Sequence, residues 1–181
     1  MQIHDAQQEV RTVFLGGSIG QAVSGVLWLV SAGLGEFASV QSGILSLALG
    51  GMLIFPLTQL VLKILGRQAS LDRENPLNQL AMQIAFIIPL MLPVIAGATL
   101  YNVNWFYPAF MVVVGAHYLP FVFLYGMWQY AALSAALISG GVVIAMILPE
   151  MFTPGGWITG IVLVLFAIII WRLARSEGVV R

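Results

Sequence analysis

The sequence contains no cysteine and few charged residues, which make up 8% of its 181 positions. Without cysteine the chain cannot form disulfides, thiolate metal sites or a cysteine nucleophile. Its net charge is zero and its basic residues form no stripe, which excludes a nucleic-acid-binding surface. An ordinary soluble domain has about 25% charged residues. Seven basic and seven acidic side chains are too few to cover a water-exposed surface of this size. We therefore predict that lipid covers most of the surface.

Hydrophobic residues make up 60% of the chain and form six long apolar segments. A membrane-spanning helix needs about 20 mostly apolar residues. The sequence therefore predicts an all-α membrane protein, with six transmembrane helices in a bundle and a single domain covering residues 1–181. Three parallel hairpins are one arrangement that these helices could adopt. The predicted spans are residues 13–34, 40–65, 77–100, 105–125, 128–148 and 154–173.

The basic residues indicate how the helices are oriented. With six spans, all seven fall on the same side of the membrane: Arg11, Lys63, Arg67, Arg73, Arg172, Arg175 and Arg181. The positive-inside rule makes that side cytoplasmic, so we expect a multi-pass inner-membrane protein with both termini in the cytoplasm. Residues 1–11 lack the basic run of a signal peptide and are expected to form a short amphipathic lead-in. Gly126 suits a tight turn between the fourth and fifth predicted helices. A five-span alternative, with the fourth and fifth helices as one bent element, would place basic residues outside.

Small residues recur at every fourth position in several predicted helices. The stripes are Gly16, Gly20 and Ser24 in the first helix, Ser42, Ser46 and Gly50 in the second, Ala132, Ala136 and Gly140 in the fifth, and Gly156 and Gly160 in the sixth. Such stripes let helix backbones approach closely. Since one dimer interface does not need several stripes, we expect most of them to pack inside the bundle. A homo-oligomer through one of them stays open.

Titratable groups are almost absent from the middle of the predicted spans. No span contains Asp or Glu, which proton- and sodium-coupled carriers usually need. His117 is the one titratable side chain near the middle of a span. The chain offers no second buried histidine for a haem and no mid-helix lysine for a Schiff base. We therefore expect no cofactor, no metal site and no assigned catalytic residue.

Prolines inside the second, third and fourth predicted helices free the backbone carbonyls four residues before them. At 1.5 Å per residue, the three freed carbonyls lie at roughly 12–20 Å depth, near the middle of a ~30 Å hydrocarbon core. Interrupted helices at a common depth are typical of a binding cavity. Two glutamines and the histidine reach a similar depth. We therefore predict a small polar pocket near the midplane, lined by His117, Gln83, Gln21, Ala116, Ala85 and Met52.

This pocket favours binding or passage of a small neutral or amphipathic solute, held by hydrogen bonds to carbonyls and amide side chains. The expected partners are the lipid bilayer and a small solute or lipid ligand. One alternative is a non-catalytic scaffold or partner subunit that binds other helices. Another is an intramembrane enzyme with His117 as acid–base, which needs a second reactive group within about 3 Å. His117 could equally be a packing residue that bonds to a backbone carbonyl or a glutamine.

The run from Gly115 to Phe121, GAHYLPF, resembles a segment of small bacterial membrane proteins that carry a domain of unknown function. The short runs GGS at residues 16–18 and SGVLW at residues 24–28 add to this resemblance. It implies a bacterial six-helix inner-membrane protein, and it assigns no catalytic or binding residue.

Overall fold

A computed structural model describes residues 2–67 and 70–179, with side chains for residues 2–67 and 70–176. Arg181, one of the seven basic residues, lies outside the described residues. Nine α-helices occur in the described part of the chain: α1 Ile3–Phe14, α2 Ser18–Phe37, α3 Val40–Gly51, α4 Ile54–Ile64, α5 Leu77–Tyr101, α6 Phe106–Tyr118, α7 Phe121–Tyr125, α8 Gln129–Ile147 and α9 Pro154–Val179. Short 3₁₀ segments, Leu15–Gly17 and Val103–Trp105, join α1 to α2 and α5 to α6.

The lengths and apolar character of these helices confirm the prediction of an all-α transmembrane bundle. Among the described residues, five segments are long and apolar enough to span a membrane. They are Ile3–Phe37, Leu77–Tyr101, Val103–Tyr125, Gln129–Ile147 and Pro154–Ser176. The pair α3 and α4 passes the same test only when the two helices are taken together. The all-α fold therefore has five or six spans, depending on whether the bent pair is counted as one.

The tightest helix contact joins α2 to α9, which run antiparallel. A Cβ on Gly25 would lie 2.8 Å from the Val164 side chain and 3.0 Å from the Gly160 carbonyl. Gly16, at the start of the same span, lies against Ile170 near the end of α9. The N-terminal helix and the last turns of α9 therefore share one end of the bundle, which we call the terminal end. The opposite end is called the far end.

Glycines also bring α6 and α8 together in antiparallel fashion. A Cβ on Gly115 would lie 2.8 Å from Ile138, and one on Gly141 would lie 2.8 Å from the Pro108 carbonyl. The small-residue stripe predicted for this helix is only partly correct, because Ala132 and Ala136 are exposed. The face of α8 that packs on α6 is a different one from that stripe. The stripe did not identify the packed face, because lipid and neighbouring helices are equally apolar surroundings for a membrane helix.

Aromatic rings fill the far-end half of the core. The ring centroid of Trp28 on α2 lies 5.9 Å from that of Tyr107 and 5.3 Å from that of Phe110, both on α6. At the far end, the Thr153 hydroxyl donates a hydrogen bond to the Glu36 carboxylate, which joins the start of α9 to the end of α2. These contacts fix α2, α6 and α9 relative to one another.

The second predicted span, residues 40–65, is not one straight helix. It bends by 57° between α3 and α4, at Met52 and Leu53. Pro56 lies in the first turn of α4, where a missing backbone N–H costs no intrahelical hydrogen bond. A proline ring clashes with the carbonyl four residues earlier, here that of Met52. Therefore α3 ends at Gly51, before the proline, and α4 begins at Ile54 with the proline in its first turn.

The fourth predicted helix is also interrupted, at Leu119 and Pro120, between α6 and the short α7. Gly126 then ends α7 with a left-handed φ of 64°, as the turn predicted at this glycine requires. Because α8 returns antiparallel to α6, the two predicted helices are separate spans and not one bent element. The charge distribution had favoured the same choice.

Candidate functional site

The structure places the six predicted pocket residues in different environments. Gln21 is buried, with 1% of its surface exposed. His117 is half-buried. The other four are exposed on the surfaces of their helices: Gln83, Ala116, Ala85 and Met52. Of the six residues predicted to line the pocket, only Gln21 and His117 therefore have side chains that face protein.

One of the three carbonyls predicted to be free is engaged. The backbone N–H of Leu119 donates to the Ala116 carbonyl oxygen, at a donor–acceptor distance of 3.2 Å. A tightened last turn of α6 thus supplies the donor that Pro120 cannot, a common repair at proline breaks in membrane helices. The Ala116 carbonyl, which the proline was predicted to free, therefore has a backbone donor.

His117 lies where α6 packs on α5. A backbone hydrogen bond connects it to Ile84 of α5. Its ring centroid lies 5.6 Å from that of Tyr118 and 5.1 Å from that of Phe121. Its Nδ1 atom is buried and has no hydrogen-bond partner among the described residues. The bond to Ile84 is the one expected if His117 is a packing residue. The buried Nδ1 atom is not explained by that role, because it has no partner in the described residues.

Gln21 lies in the first turn of α2, close to Ser18. Neither the amide nitrogen nor the amide oxygen of Gln21 has a hydrogen-bond partner within the described part of the chain, and the same holds for the Ser18 hydroxyl. Three residues of helix separate the two side chains, a rise of about 4.5 Å. Gln21 therefore lies in the part of α2 that is nearest to the terminal end, because α2 begins at Ser18.

Tyrosine side chains surround the segment that precedes Ser18. The Tyr130 hydroxyl donates a hydrogen bond to the Gly16 carbonyl. A Cβ on Gly17 would lie 2.6 Å from the Tyr130 hydroxyl and 3.0 Å from that of Tyr125. The rings of these two tyrosines are nearly parallel, 5.4 Å apart. We call Ser18, Gln21, Tyr125 and Tyr130 the terminal-end cluster.

Few features of the sequence indicate this cluster. Tyr130 stands at the predicted membrane boundary, where tyrosines commonly form an aromatic belt, yet it is fully buried. The available signal was the run Leu15-Gly16-Gly17, because two adjacent glycines allow a backbone break next to a tightly packed ring. At that break, the backbone before α2 lies against the tyrosine hydroxyls of α7 and α8.

Two surface pockets lie away from these residues. One is a groove of about 260 Å³ between α6 and α8, lined by apolar side chains and by Trp105. The other, of similar volume, lies at the far end beside Glu36 and Thr153. Neither is lined by His117, Gln83 or Gln21. In the described residues, no three His, Cys, Asp or Glu side chains are grouped so as to hold a metal ion.

Fold and site together define a polytopic α-helical membrane protein with unpaired polar side chains buried near one end of its bundle. The profile described as "Family of unknown function (DUF7010)" matches residues 3–173. The chain belongs to this family. No curated protein and no solved structure matches it. The resemblance seen in residues 115–121, to a domain of unknown function, is thereby confirmed.

Proposed function

We propose that the protein binds a small neutral or amphipathic solute at the terminal-end cluster, with Gln21 as the main hydrogen-bonding side chain, and that it passes this solute through the bundle. The protein would act as a multi-pass inner-membrane protein with both termini in the cytoplasm. His117 would contribute its unpaired Nδ1 on the α5 side of the same bundle.

The Gln21 amide carries this proposal. Its side chain is 1% exposed, and both of its polar atoms lack a partner in the described residues. A buried polar group without a hydrogen bond costs about 1–3 kcal/mol. Such groups in native proteins usually mark a functional or water-binding position. An amide both donates and accepts, so it can pair in both directions with a hydroxyl or an amide group and can donate to an ester carbonyl.

The charges near the cluster favour a neutral ligand. The Arg11 guanidinium donates to the Tyr125 carbonyl oxygen at 2.6 Å. Within the cluster itself, the four side chains are uncharged. A charged ligand buried among them would lose its hydration without an opposite charge to replace it, which is costly.

The position of the basic residues supports the cytoplasmic orientation. Arg67 donates to the Thr12 carbonyl at the terminal end. Arg175 lies 4.1 Å over the Trp171 ring in the last turns of α9. Positive residues with an aromatic neighbour at one end of a bundle are typical of the cytoplasmic boundary.

Native mass spectrometry of the protein, released from lipid nanodiscs, tests the proposal. We expect a non-covalent adduct on the wild-type protein that Gln21→Leu removes. Gln83→Leu is the matched control, since it makes the same change at an exposed position of α5. Equal adducts on all three proteins, or none on any, would contradict binding at Gln21.

Passage is measured separately, by light scattering of proteoliposomes after osmotic shock with glycerol or urea. We expect faster re-swelling than for empty liposomes, and a return to the empty-liposome rate in Gln21→Leu. Swelling rates that are the same with and without protein would contradict passage of these two probes.

The exposure of α5 favours a second function, the scaffold or partner subunit. α5 packs mainly on α6, and most of its surface is exposed. Gly97 on this helix has no neighbouring atom within 4 Å of a built Cβ. An exposed small residue allows a helix of another chain to approach closely. Cross-linking between Gly97→Cys copies would support a homo-oligomer through α5.

A further inference from the structure

We propose that α1 is a lid over the terminal-end cluster, and that it opens by rotation at the segment Leu15–Gly17. The inference rests on the proposed function, because it concerns access to the same cluster. It is carried by the hinge between α1 and α2, by the hydrogen bonds that hold α1 shut, and by the buried side chains behind it.

The hinge consists of three consecutive residues in the left-handed region. The φ angles are 51° at Leu15, 64° at Gly16 and 85° at Gly17. The two glycines adopt this conformation without a steric penalty, whereas Leu15 has a Cβ that opposes it. Continuing α1 into α2 as one helix would relieve the strain at Leu15. The closed conformation must therefore be held by contacts elsewhere in α1.

The apolar stripe of α1 faces protein and not lipid. Ala6 and Val10, one turn apart, are 0% and 1% exposed. Residues on the other side of the helix, such as His4 and Asp5, are exposed. An amphipathic helix normally lies in the membrane interface with its apolar stripe in lipid. Here the stripe faces the end of the bundle, and its two fully buried side chains, Ala6 and Val10, are small.

Polar bonds fasten one side of the lid to the end of α7. The Gln7 amide nitrogen donates to the Phe123 carbonyl at 2.6 Å, and the Arg11 guanidinium donates to the Tyr125 carbonyl at 2.6 Å. These carbonyls belong to the last turn of a helix, where no intrahelical donor remains. A Cβ on Gly126 would lie 2.7 Å from the Gln7 amide oxygen, so the turn after α7 is in close contact with α1.

The other side of the lid is fastened to the connection between α4 and α5. The Glu9 carboxylate accepts from the backbone N–H of Asp72 at 2.6 Å and from the Asn75 amide at 3.0 Å. The Asn75 amide also donates to the Ala6 carbonyl, at 3.2 Å. Because each fastening is a polar bond at the aqueous end of the bundle, water can replace it when the lid opens.

Ser18 and Gln21 lie directly beyond the hinge, in the first turn of α2. They are 2% and 1% exposed while the lid is closed. Rotation of α1 away from α7 would remove the residues that precede Ser18 from the tyrosine hydroxyls. The lid thus controls whether a solute from the aqueous side reaches the unpaired groups of the cluster.

The test measures how fast a water-soluble maleimide labels single cysteines in the purified protein, which has no native cysteine. The two reporters are Ala6→Cys, on the buried face of the lid helix α1, and Ser18→Cys, in the first turn of α2. The lid is released by the triple substitution Gln7→Ala, Glu9→Ala and Arg11→Ala, which removes side-chain bonds on both sides. Since hydrogen bonds to charged groups are among the stronger ones, we expect labelling of both reporters to rise about tenfold.

Two controls separate a lid from general loosening. Asp5→Cys is already exposed and should label at the same rate with and without the release. Ser134→Cys, at a buried position of α8, should stay unreactive in both. Unchanged labelling of Ala6→Cys and Ser18→Cys would refute the lid, and so would an equal rise at Ser134→Cys. The assay uses no solute, so its failure is distinguishable from failure of solute binding at Gln21.

Discussion

The hydroxyl oxygen of Ser31 lies 2.7 Å from the hydroxyl of Tyr107 and 2.7 Å from the Gly43 carbonyl oxygen. Ser31 donates to the carbonyl, so Tyr107 must donate to Ser31. One small side chain on α2 thereby joins α3 and α6 where all three helices meet. A Cβ on Gly43 would lie 2.9 Å from the α-carbon of Gly35, so the backbones of α2 and α3 nearly touch at this crossing.

We predict unequal effects from removing the two hydroxyls of this pair. Ser31→Ala leaves the buried Tyr107 hydroxyl unpaired and should cost about 1–2 kcal/mol, although the Gly43 carbonyl keeps the Ser46 hydroxyl as a donor at 2.9 Å. Tyr107→Phe leaves the Ser31–Gly43 bond intact and should cost less than about 1 kcal/mol. Thermal unfolding in detergent measures both. Equal losses would show that the direction of donation assigned here is wrong.

A second prediction contrasts two glycines within helices. Gly25→Ala should destabilise the protein by about 1–3 kcal/mol, because its Cβ would meet the backbone of α9 at 3.0 Å. Gly97→Ala adds a Cβ to open space and should stabilise α5 by up to about 1 kcal/mol through helix propensity. The two substitutions thus have opposite signs. If Gly25→Ala unfolds at the wild-type temperature, α2 and α9 are not packed as described.

The third prediction concerns His117, which bonds to the backbone of Ile84. His117→Gln retains a donor and an acceptor and should change the free energy of unfolding by less than about 0.5 kcal/mol. His117→Leu loses the bond and should cost about 1 kcal/mol. Thermal unfolding of the two variants, measured without denaturant, compares their stabilities with that of the wild type. A His117→Leu protein as stable as wild type would contradict a packing role and favour ligand contact.

The fourth prediction tests the orientation in intact cells with a membrane-impermeant thiol reagent. Ala38→Cys and Glu150→Cys, exposed at the far end, should be labelled from outside. Ser70→Cys, exposed in the α4–α5 connection, should be labelled only after the cells are opened. The expectation follows from the basic residues at the terminal end. Labelling of Ser70→Cys in intact cells would reverse the topology.

Composition and turn residues predicted the fold class, because a chain with 8% charged residues cannot cover itself in water. The turn at Gly126 was also visible, since few residues tolerate its positive φ. The faces on which the helices pack could not be predicted from the sequence. Gly20, in the predicted stripe, has Thr58 at 3.6 Å from a built Cβ, whereas Gly25, outside it, is in much closer contact. In a membrane helix both lipid and neighbouring helices are apolar, so hydrophobic periodicity does not mark the packed side.

The candidate site was predicted only through Gln21 and His117. Prolines correctly indicated the breaks before Pro56 and Pro120, but the predicted interruption of the third helix is wrong, because α5 continues through Pro89 and Pro93. Residue types also did not indicate which backbone groups would be satisfied again. Whether Leu119 reaches the Ala116 carbonyl depends on the local turn geometry and not on residue types. The contacts of Gln7 and Arg11 with α7 join residues more than 110 positions apart, and no local pattern carries that information.

The bend between α3 and α4 has an electrical consequence. α3 has 12 residues and α4 has 11, so at 1.5 Å per residue each is about 17 Å long. Neither crosses a ~30 Å hydrocarbon layer alone. When the pair is counted as one span, the break at Met52 and Leu53 lies within the hydrocarbon, although its N–H groups donate to the Leu49 and Gly50 carbonyls. There the negative pole of one helix macrodipole meets the positive pole of the next. An otherwise apolar surface thus carries a pair of opposite partial charges at mid-depth, in surroundings that screen them poorly.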